Sequence, residues 1–403
     1  MKTLIKYFKE LMNAIKYKTK DLLVKITNPK IENKIMLTTT QGSYACNPKA
    51  ICDEIIKEEL PYKIVWAVFE RNISTKELKS QYPKNIKLVI KGSMDFYKEL
   101  NTSKILVDNE NTFGRRFYFK KRKGQVLFET WHGSMGLKKI AVDRGFTSRL
   151  IMKKNIKYKK RTDYCISNSE FENNIFRTTY WKDNEILEYG HARNDILFKK
   201  DSSDEVKEIN KKVRDYLGLD NKTKFILYAP TFREKDSVKI KIDYEQLKKS
   251  LESRFGGKWE VVVRFHEKEL NDHPNYAKEN NIIDATFYPD MQDLMVASSA
   301  GITDYSSWIC DYVLTDKPGF LLVPDLEKYD NSERGFYYPL DTTPFPISKT
   351  SDELIKNVEK FDIKKYEKDQ AKFLKDRGCF EDGNASVRIV NKIKEVINNE
   401  RES

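Results

Sequence analysis

The sequence predicts an α/β protein built as two domains, on three observations. Its 403 residues exceed the ~100–200 of a single domain. Short β-rich runs alternate with helical or polar stretches, the mark of mainly parallel sheets crossed by helices. That alternation restarts after the highly charged segment Lys199–Asp220, which reads as a helical crossing between the halves.

Taken in order, Leu4, Ile5, Phe8, Leu11, Met12 and Ile15 recur at helical spacing with Lys2, Lys6, Lys9 and Lys16 between them. Residues 1–30 are therefore expected to form a basic amphipathic helix. A helix lying on an anionic membrane and one docked on the first domain share this pattern. Strands follow at Ile35–Thr38, Ile64–Phe69, Ile86–Ile90, Ile105–Val107, Val126–Glu129, Tyr164–Ile166 and Ile186–Tyr189, in a first domain spanning 31–200. A second series, Phe225–Tyr228, Val261–Phe265, Ile282–Ile283, Gly301–Thr303 and Phe320–Val323, belongs to a domain spanning 201–403. Both halves read as Rossmann-like. Val387, Ile389, Val390, Ile393, Val396 and Ile397 form a closing amphipathic helix, with Asn384 or Ser386 as its expected cap.

Charge and composition narrow the function. The net charge is +13, yet Arg115 to Arg161 alone carries sixteen Lys and Arg against Glu129 and Asp143. The first 35 residues add nine lysines against three acids, so the remainder is net acidic. With 39% hydrophobic residues, wholesale disorder is excluded. There is no apolar stretch of the ~18 residues a spanning helix needs, nor a signal-peptide pattern, and a cytoplasmic location is expected. Five scattered cysteines without a C-x-x-C pair fit reduced, mostly buried thiols. No metal is assigned to them.

Ligands of doubly wound sheets bind beyond the carboxyl ends of the strands. Four such junctions stand out. In Glu129-Thr130-Trp131-His132-Gly133-Ser134, His132 follows a strand inside the most basic region and is a candidate general base; the alternative is a histidine that only bonds a loop backbone. The strand Val261–Val263 leads into Arg264-Phe265-His266. An arginine fork and a neighbouring imidazole suit a phosphate ester, unless Arg264 merely pairs with a carboxylate. Gly301-Ile302-Thr303-Asp304-Tyr305-Ser306-Ser307 passes into a helix carrying Asp311, where hydroxyls and free N–H groups can meet a diphosphate or simply cap the helix. The turns Tyr228-Ala229-Pro230-Thr231-Phe232-Arg233 and Gly190-His191-Ala192-Arg193-Asn194-Asp195 each place an arginine beside turn-forming residues. His191 is left open and His273 is taken as a surface residue. No Walker loop, dinucleotide fingerprint or Asp-x-Asp pair occurs, which removes support for ATP hydrolysis, dinucleotide redox chemistry and an obligatory metal.

In their order these blocks resemble the CDP-glycerol glycerophosphotransferases, a family that includes teichoic acid primases and polymerases. The resemblance rests on Thr130, His132-Gly133 and Leu137-Lys138; on Arg193-Asn194-Asp195; on Tyr228–Arg233, Arg264–His266 and Thr303–Ser307 followed by Asp311. Smaller pieces are Asn47-Pro48-Lys49-Ala50, Val107-Asp108-Asn109, the Asp325, Tyr329, Arg334-Gly335 series and Asp382-Gly383-Asn384-Ala385-Ser386. It covers roughly residues 35 to 395.

The resemblance implies a GT-B fold, two facing Rossmann-like domains with the active site in the cleft. It implies transfer of a polyol phosphate, foremost glycerol phosphate, from a CDP-polyol to a hydroxyl of a lipid-linked or polymeric acceptor, with release of CMP. His132 would activate that hydroxyl. His266 with Arg264 would hold or protonate the phosphate of the leaving CMP, Thr303, Ser306 and Ser307 would bind its oxygens, and Asp311 would lie near the nucleotide. Asp304, Thr231, Arg233, Arg193, Asn194, Asp195, Lys138 and Arg334 complete the expected binding set. No cofactor is required, since cationic and N–H donors can position and neutralise phosphorus without a metal. The basic block would face anionic lipid or a polyanionic acceptor at the cytoplasmic face of the membrane.

Two departures touch the acceptor side. Ser134-Met135-Gly136 replaces the family's Thr-Pro, and His191-Ala192 replaces Tyr-Pro before Arg193, so the polyol or acceptor is open. A GT-B glycosyltransferase using a nucleotide sugar is the rival enzyme. A nucleic-acid-binding protein, suggested by the basic charge and by Phe117-Tyr118-Phe119-Lys120-Lys121, lacks any recognisable module and is set aside.

Overall fold

The computed structural model describes residues 2–144, 156, 159–231, 242–266, 274–332 and 335–399. Arg233, His273 and Arg334 lie outside them. Two compact units emerge: Met1–His132 with Ala141–Asp195 and Phe380–Ser403, and Gly133–Ile140 with Ile196–Cys379.

The first unit holds seven strands: β1 (Glu32–Thr38), β2 (Lys63–Val68), β3 (Lys87–Ile90), β4 (Ser103–Asp108), β5 (Val126–Glu129), β6 (Tyr164–Ile166) and β7 (Glu185–Leu187). They pair in the order β3-β2-β1-β4-β5-β6-β7, every pair parallel. Successive side chains point to opposite faces, and both faces are covered. Ile35, Leu37, Trp66 and Val107 meet Ile51 and Ile55 of the helix Cys46–Lys57. Met36, Val65, Ala67 and Leu106 meet Phe96, Tyr97 and Leu100 of the helix Met94–Thr102. That second helix starts where Ser93 accepts the amide of Phe96.

The closing helix, Ala385–Asn398, corrects the expected domain boundary. Its apolar stripe Ile389, Val390, Ile393 and Ile397 is buried in the first unit's core, beside Ile51 and Ile55. Asn384 occupies the cap position without a side-chain bond; the cap comes from Asp195, described below.

The N-terminal helix spans Lys2–Ile26. One side docks: Tyr17 packs against Phe117 with ring centres 5.3 Å apart, Lys20 donates to the Gly92 carbonyl at 2.6 Å, and Asp21 and Val24 are buried. The other side leaves Phe8, Leu11, Met12, Ile15, Leu22, Leu23 and Ile26 exposed.

The second unit holds β8 (Lys224–Tyr228), β9 (Trp259–Val263), β10 (Ile283–Asp284), β11 (Ala300–Thr303), β12 (Gly319–Leu322) and β13 (Ile347–Ser348). Their order is β10-β9-β8-β11-β12-β13, again all parallel. Two glycines keep its strands close to their cover. A Cβ on Gly301 would stand 2.8 Å from the Trp308 ring, and one on Gly319 would stand 2.6 Å from Phe345. The segment 133–140 joins this unit because Lys139 and Tyr337 exchange main-chain bonds with Gly335 and Leu137, around the antiparallel bridge Lys138–Phe336.

In each sheet the strand order reverses beside the first strand, at β1/β4 and at β8/β11. Such switch points open a crevice at the carboxyl edge.

Candidate functional site

At the first unit's switch point the turn after β4 is built by Asp108. Its carboxylate accepts the amides of Glu110 at 3.1 Å and Phe113 at 2.9 Å. Burial pushes its pKa up, against those two donors and the charges of Lys91 and Lys159. Across the switch, the amide of Thr40 donates to Asn109 Oδ1 at 3.0 Å, and the Thr40 hydroxyl donates to Glu110 at 2.8 Å. The ordered turn then presents the Asn109 carbonyl 2.9 Å from His132 Nδ1.

A carbonyl only accepts, so Nδ1 carries the proton, and the lone pair of the neutral ring resides on Nε2. His132 keeps an exposed edge, while protein packed around its ring lowers its pKa from the usual 6.5. Lys159 and Arg193 act the same way; the Glu110 carboxylate and the Asn109 bond oppose them. Glu110 itself would be raised by burial, but the charges of His132 and Arg115, with the Thr40 bond, bring it below its ordinary value.

The residue before this histidine is held in a costly conformation. Trp131 has φ +54°, which a bulky side chain adopts only under constraint. Three features supply it. Asn47 Nδ2 donates to the carbonyls of Thr130 at 2.9 Å and Trp131 at 3.2 Å. The Trp131 ring packs edge-on against Trp181 at 5.5 Å. The Lys159 ammonium sits 5.1 Å from the Trp131 ring and 4.3 Å from that of Trp181, bonded to the buried Glu129 at 2.9 Å. Burial pushes Glu129 up to about 7, against Lys159.

Arg193, Asn194 and Asp195 form part of an internal clasp. All three are buried. The Arg193 amide donates to Asn47 Oδ1 at 3.0 Å, which ties it to the same asparagine that holds the histidine turn. Asn194 donates to Glu381 at 2.8 Å. Asp195 accepts the amides of Ala385 at 2.9 Å and Ser386 at 2.7 Å, and also the Ser386 hydroxyl. The Arg193 charge reaches His132. His191 is wholly buried, with Nε2 3.3 Å from Glu172.

In the second unit, β9 ends at Val263 and delivers Arg264 and His266. His266 is exposed and Arg264 partly buried. The Arg264 guanidinium donates to the Tyr288 carbonyl at 3.1 Å; burial lowers its pKa, against Asp290 and Tyr216. Across the β8/β11 switch, Asp304 Oδ1 accepts the Thr231 amide at 2.8 Å. Thr303 is fully buried and donates its hydroxyl to the Ala229 carbonyl at 2.7 Å. That bond braces the turn across the switch. Asp304 and Asp311 are likewise buried, with Gln292 donating to Asp311 at 3.4 Å.

Ser306 and Ser307 remain partly exposed, and Ser307 makes no capping bond to the helix Trp308–Tyr312. The preceding Tyr305 stacks on Tyr329 at 4.1 Å and donates to Asp325 at 2.8 Å. The Asp325 and Tyr329 pieces of the sequence thus support this turn. Lys138 lies 5.8 Å from the Tyr329 ring.

Sequence reasoning gave no role to Asn47, Asn109, Glu110, Lys159 or Glu381. Asn47 and Asn109 fell within quoted pieces of the resemblance, which was the available signal. Among the described residues no helix is long and apolar enough to cross a membrane.

The chain shares 30% identity over 393 residues with a teichoic acid poly(glycerol phosphate) polymerase of Staphylococcus epidermidis, covering 92% of this chain but 51% of that protein. It therefore spans about half the length of that relative. A polymerase of the same name from Bacillus spizizenii is 28% identical, covering 91% of this chain and 93% of its own. The fold matches the wall teichoic acid polymerase TagF with a TM-score of 0.81 at 27% identity, over 98% of both chains; a variant of that protein soaked with CDPG matches equally well. Residues 22–395 fit one family throughout, and this chain belongs to it: the CDP-glycerol:poly(glycerophosphate) glycerophosphotransferases.

Proposed function

We propose that this chain transfers glycerol phosphate from CDP-glycerol to a hydroxyl of a lipid-linked or polymeric acceptor in teichoic acid synthesis, releasing CMP. The observation that carries the reading is the His132–Asn109 bond. It leaves a neutral imidazole with its Nε2 lone pair available at a switch point, and family membership supplies the substrate class.

In this reading the units act as the two halves of a GT-B enzyme. His132 Nε2 removes the acceptor proton as its oxygen attacks the β-phosphorus of CDP-glycerol; the bond from that phosphorus to the CMP oxygen breaks. His266 and Arg264 steady or protonate the CMP phosphate, with Ser306, Ser307 and Lys138 as further donors. Arg233 and Arg334 belong to the proposed set by family position alone. Thr231, Thr303, Asp304 and Asp311 shape the turns that carry it. The reaction as proposed uses no metal or cofactor, since fixed cations and N–H groups can stabilise the transferring phosphoryl group.

The exposed apolar side of the N-terminal helix supports peripheral attachment to an anionic membrane at its cytoplasmic face. The decisive assay incubates the protein with CDP-glycerol, CDP-ribitol and UDP- or GDP-sugars and measures the nucleotide released. CMP from CDP-glycerol is expected. Release of UDP or GDP alone would transfer the assignment to the glycosyltransferases.

A further inference from the structure

Two non-glycine residues with left-handed backbone meet at one asparagine of the first unit. Trp131, which precedes His132, has φ +54°, and Cys46, the first residue of the helix Cys46–Lys57, has φ +62°. Such positions persist where their surroundings over-determine them, and they gather at functional sites. Asn47 follows the one and bonds to the other. Its side chain is fully buried and committed at both ends. Oδ1 accepts the Arg193 amide at 3.0 Å, and Nδ2 donates to the carbonyls of Thr130 at 2.9 Å and Trp131 at 3.2 Å. A main-chain N–H only donates, so the bond from Arg193 fixes which end of the carboxamide is oxygen and turns both N–H groups toward the carbonyls.

Those two carbonyls belong to the peptides on either side of Trp131. Holding both sets the φ and ψ of that residue, and the second peptide carries the nitrogen of His132. The Thr130 hydroxyl reaches the same Trp131 carbonyl at 3.5 Å and the Asp108 carbonyl at 3.4 Å, so the shorter contacts are those of Asn47. Downstream, the His132 ring centre lies 4.6 Å from that of Trp131, with Nδ1 2.9 Å from the Asn109 carbonyl. Without the Asn47 donors Trp131 would be released toward negative φ, the region a bulky residue prefers. That relaxation turns the peptide leading into His132 and draws Nδ1 away from Asn109.

We propose that Asn47 is a positioning residue for the transfer reaction: through the two carbonyls flanking Trp131 it holds His132 with Nδ1 on Asn109, leaving Nε2 for the acceptor hydroxyl. The acceptor half of that statement rests on the reading given under Proposed function; the hold on the ring does not.

The test labels the histidines of the full chain with nitrogen-15. There are four, and His132 is identified by the signals lost in His132→Gln. Ring nitrogen shifts read the tautomer directly, and at pH 8 the parent should show Nδ1–H with a bare Nε2. Asn47→Asp keeps the acceptor for Arg193 and loses both donors. Asn47→Ala loses donors and acceptor without adding a buried charge, which keeps the test valid should the carboxylate disturb folding. In each variant the Nδ1–H preference should be lost and kcat should fall about 100-fold, the effect of a small misplacement of a reacting group. The KM for CDP-glycerol should hold. A lowered unfolding midpoint with the parental tautomer and kcat would overturn the proposal and reduce Asn47 to a structural link. Loss of the tautomer in the variants, with no turnover of CDP-glycerol by the parent, would leave the hold on His132 standing and sink the functional reading instead.

Discussion

The Asp195 carboxylate accepts the main-chain N–H of Ser386 at 2.7 Å, joining residues 191 positions apart. The first amides of any helix lack internal partners, and Asn384 offers no side-chain bond here. Asp195 fills that role from the far side of the chain, and the closing helix consequently returns to the first unit. The three-residue block Arg193-Asn194-Asp195 thus also serves as a clasp.

Asp195→Ala should cost about 1–2 kcal/mol, the range for a lost helix cap, measured by urea denaturation at pH 7. Asp195→Asn keeps an acceptor and should lose less. Burial holds the Asp195 carboxyl above its usual 3.8, against the Ser386 bonds. The folded state therefore binds more protons than the unfolded one just above 3.8, and stability falls as pH rises through that window. The asparagine variant should lack this slope. An alanine variant with normal stability but a raised KM would restore the ligand-binding role.

The sheets were legible because their strands are apolar runs bounded by turn residues, and the twelve runs read from sequence all became strands in the two parallel sheets. The strand β13, only Ile347–Ser348, is too short to show periodicity. His132 and His266 were legible as strand-end residues. What could not be read was the set of long-range bonds that assigns neighbours: Asn47 to Trp131, Asn109 to His132 and Asp195 to Ser386. Such bonds leave no spacing signature, so the bracing of the second turn by Thr303 and Asp304 was equally hidden in the sequence.

His132→Ala should lower CMP release by more than about 100-fold, the lower range for a lost acid–base group. The pH profile carries the sharper information. Its surroundings hold the His132 pKa below 6.5, and a base works when unprotonated, so kcat/KM should rise along an acid limb centred below that value and level off above it. The negative charge of Glu110 opposes this depression. Glu110→Gln should therefore move the limb to still lower pH. A limb that stays in place would remove Glu110 from the electrostatics of the base.

His266→Ala should also lose more than about 100-fold in turnover while the fold is kept, since the side chain is exposed at the end of β9. The contrast with Arg264 is informative. Its guanidinium is bonded to the Tyr288 carbonyl, so Arg264→Ala should lower stability as well as activity. Full CMP release by the His266 variant would strip that residue of its role.

The N-terminal helix offers the last test, because one element carries a docked side and an exposed apolar side. Tyr17, Lys20, Asp21 and Val24 fasten it to the first unit. Phe8, Leu11 and Ile15 stay exposed at 64%, 58% and 52%, one helical turn apart. Inserting such side chains into an interface gains at most about 1.5–3 kcal/mol each, and nearby lysines add about 1 kcal/mol each on anionic lipid. Replacing Phe8, Leu11 and Ile15 together with serine should weaken sedimentation with phosphatidylglycerol vesicles by at least about 100-fold. Turnover of a soluble acceptor should be far less affected, since the docked side is untouched. Raising salt should weaken binding of the parent chain by screening its lysines, and should leave little more to lose in the triple variant. Equal vesicle binding by parent and variant would reduce the helix to a strut on the first unit, and attachment would then have to come from the basic block between Arg115 and Arg161.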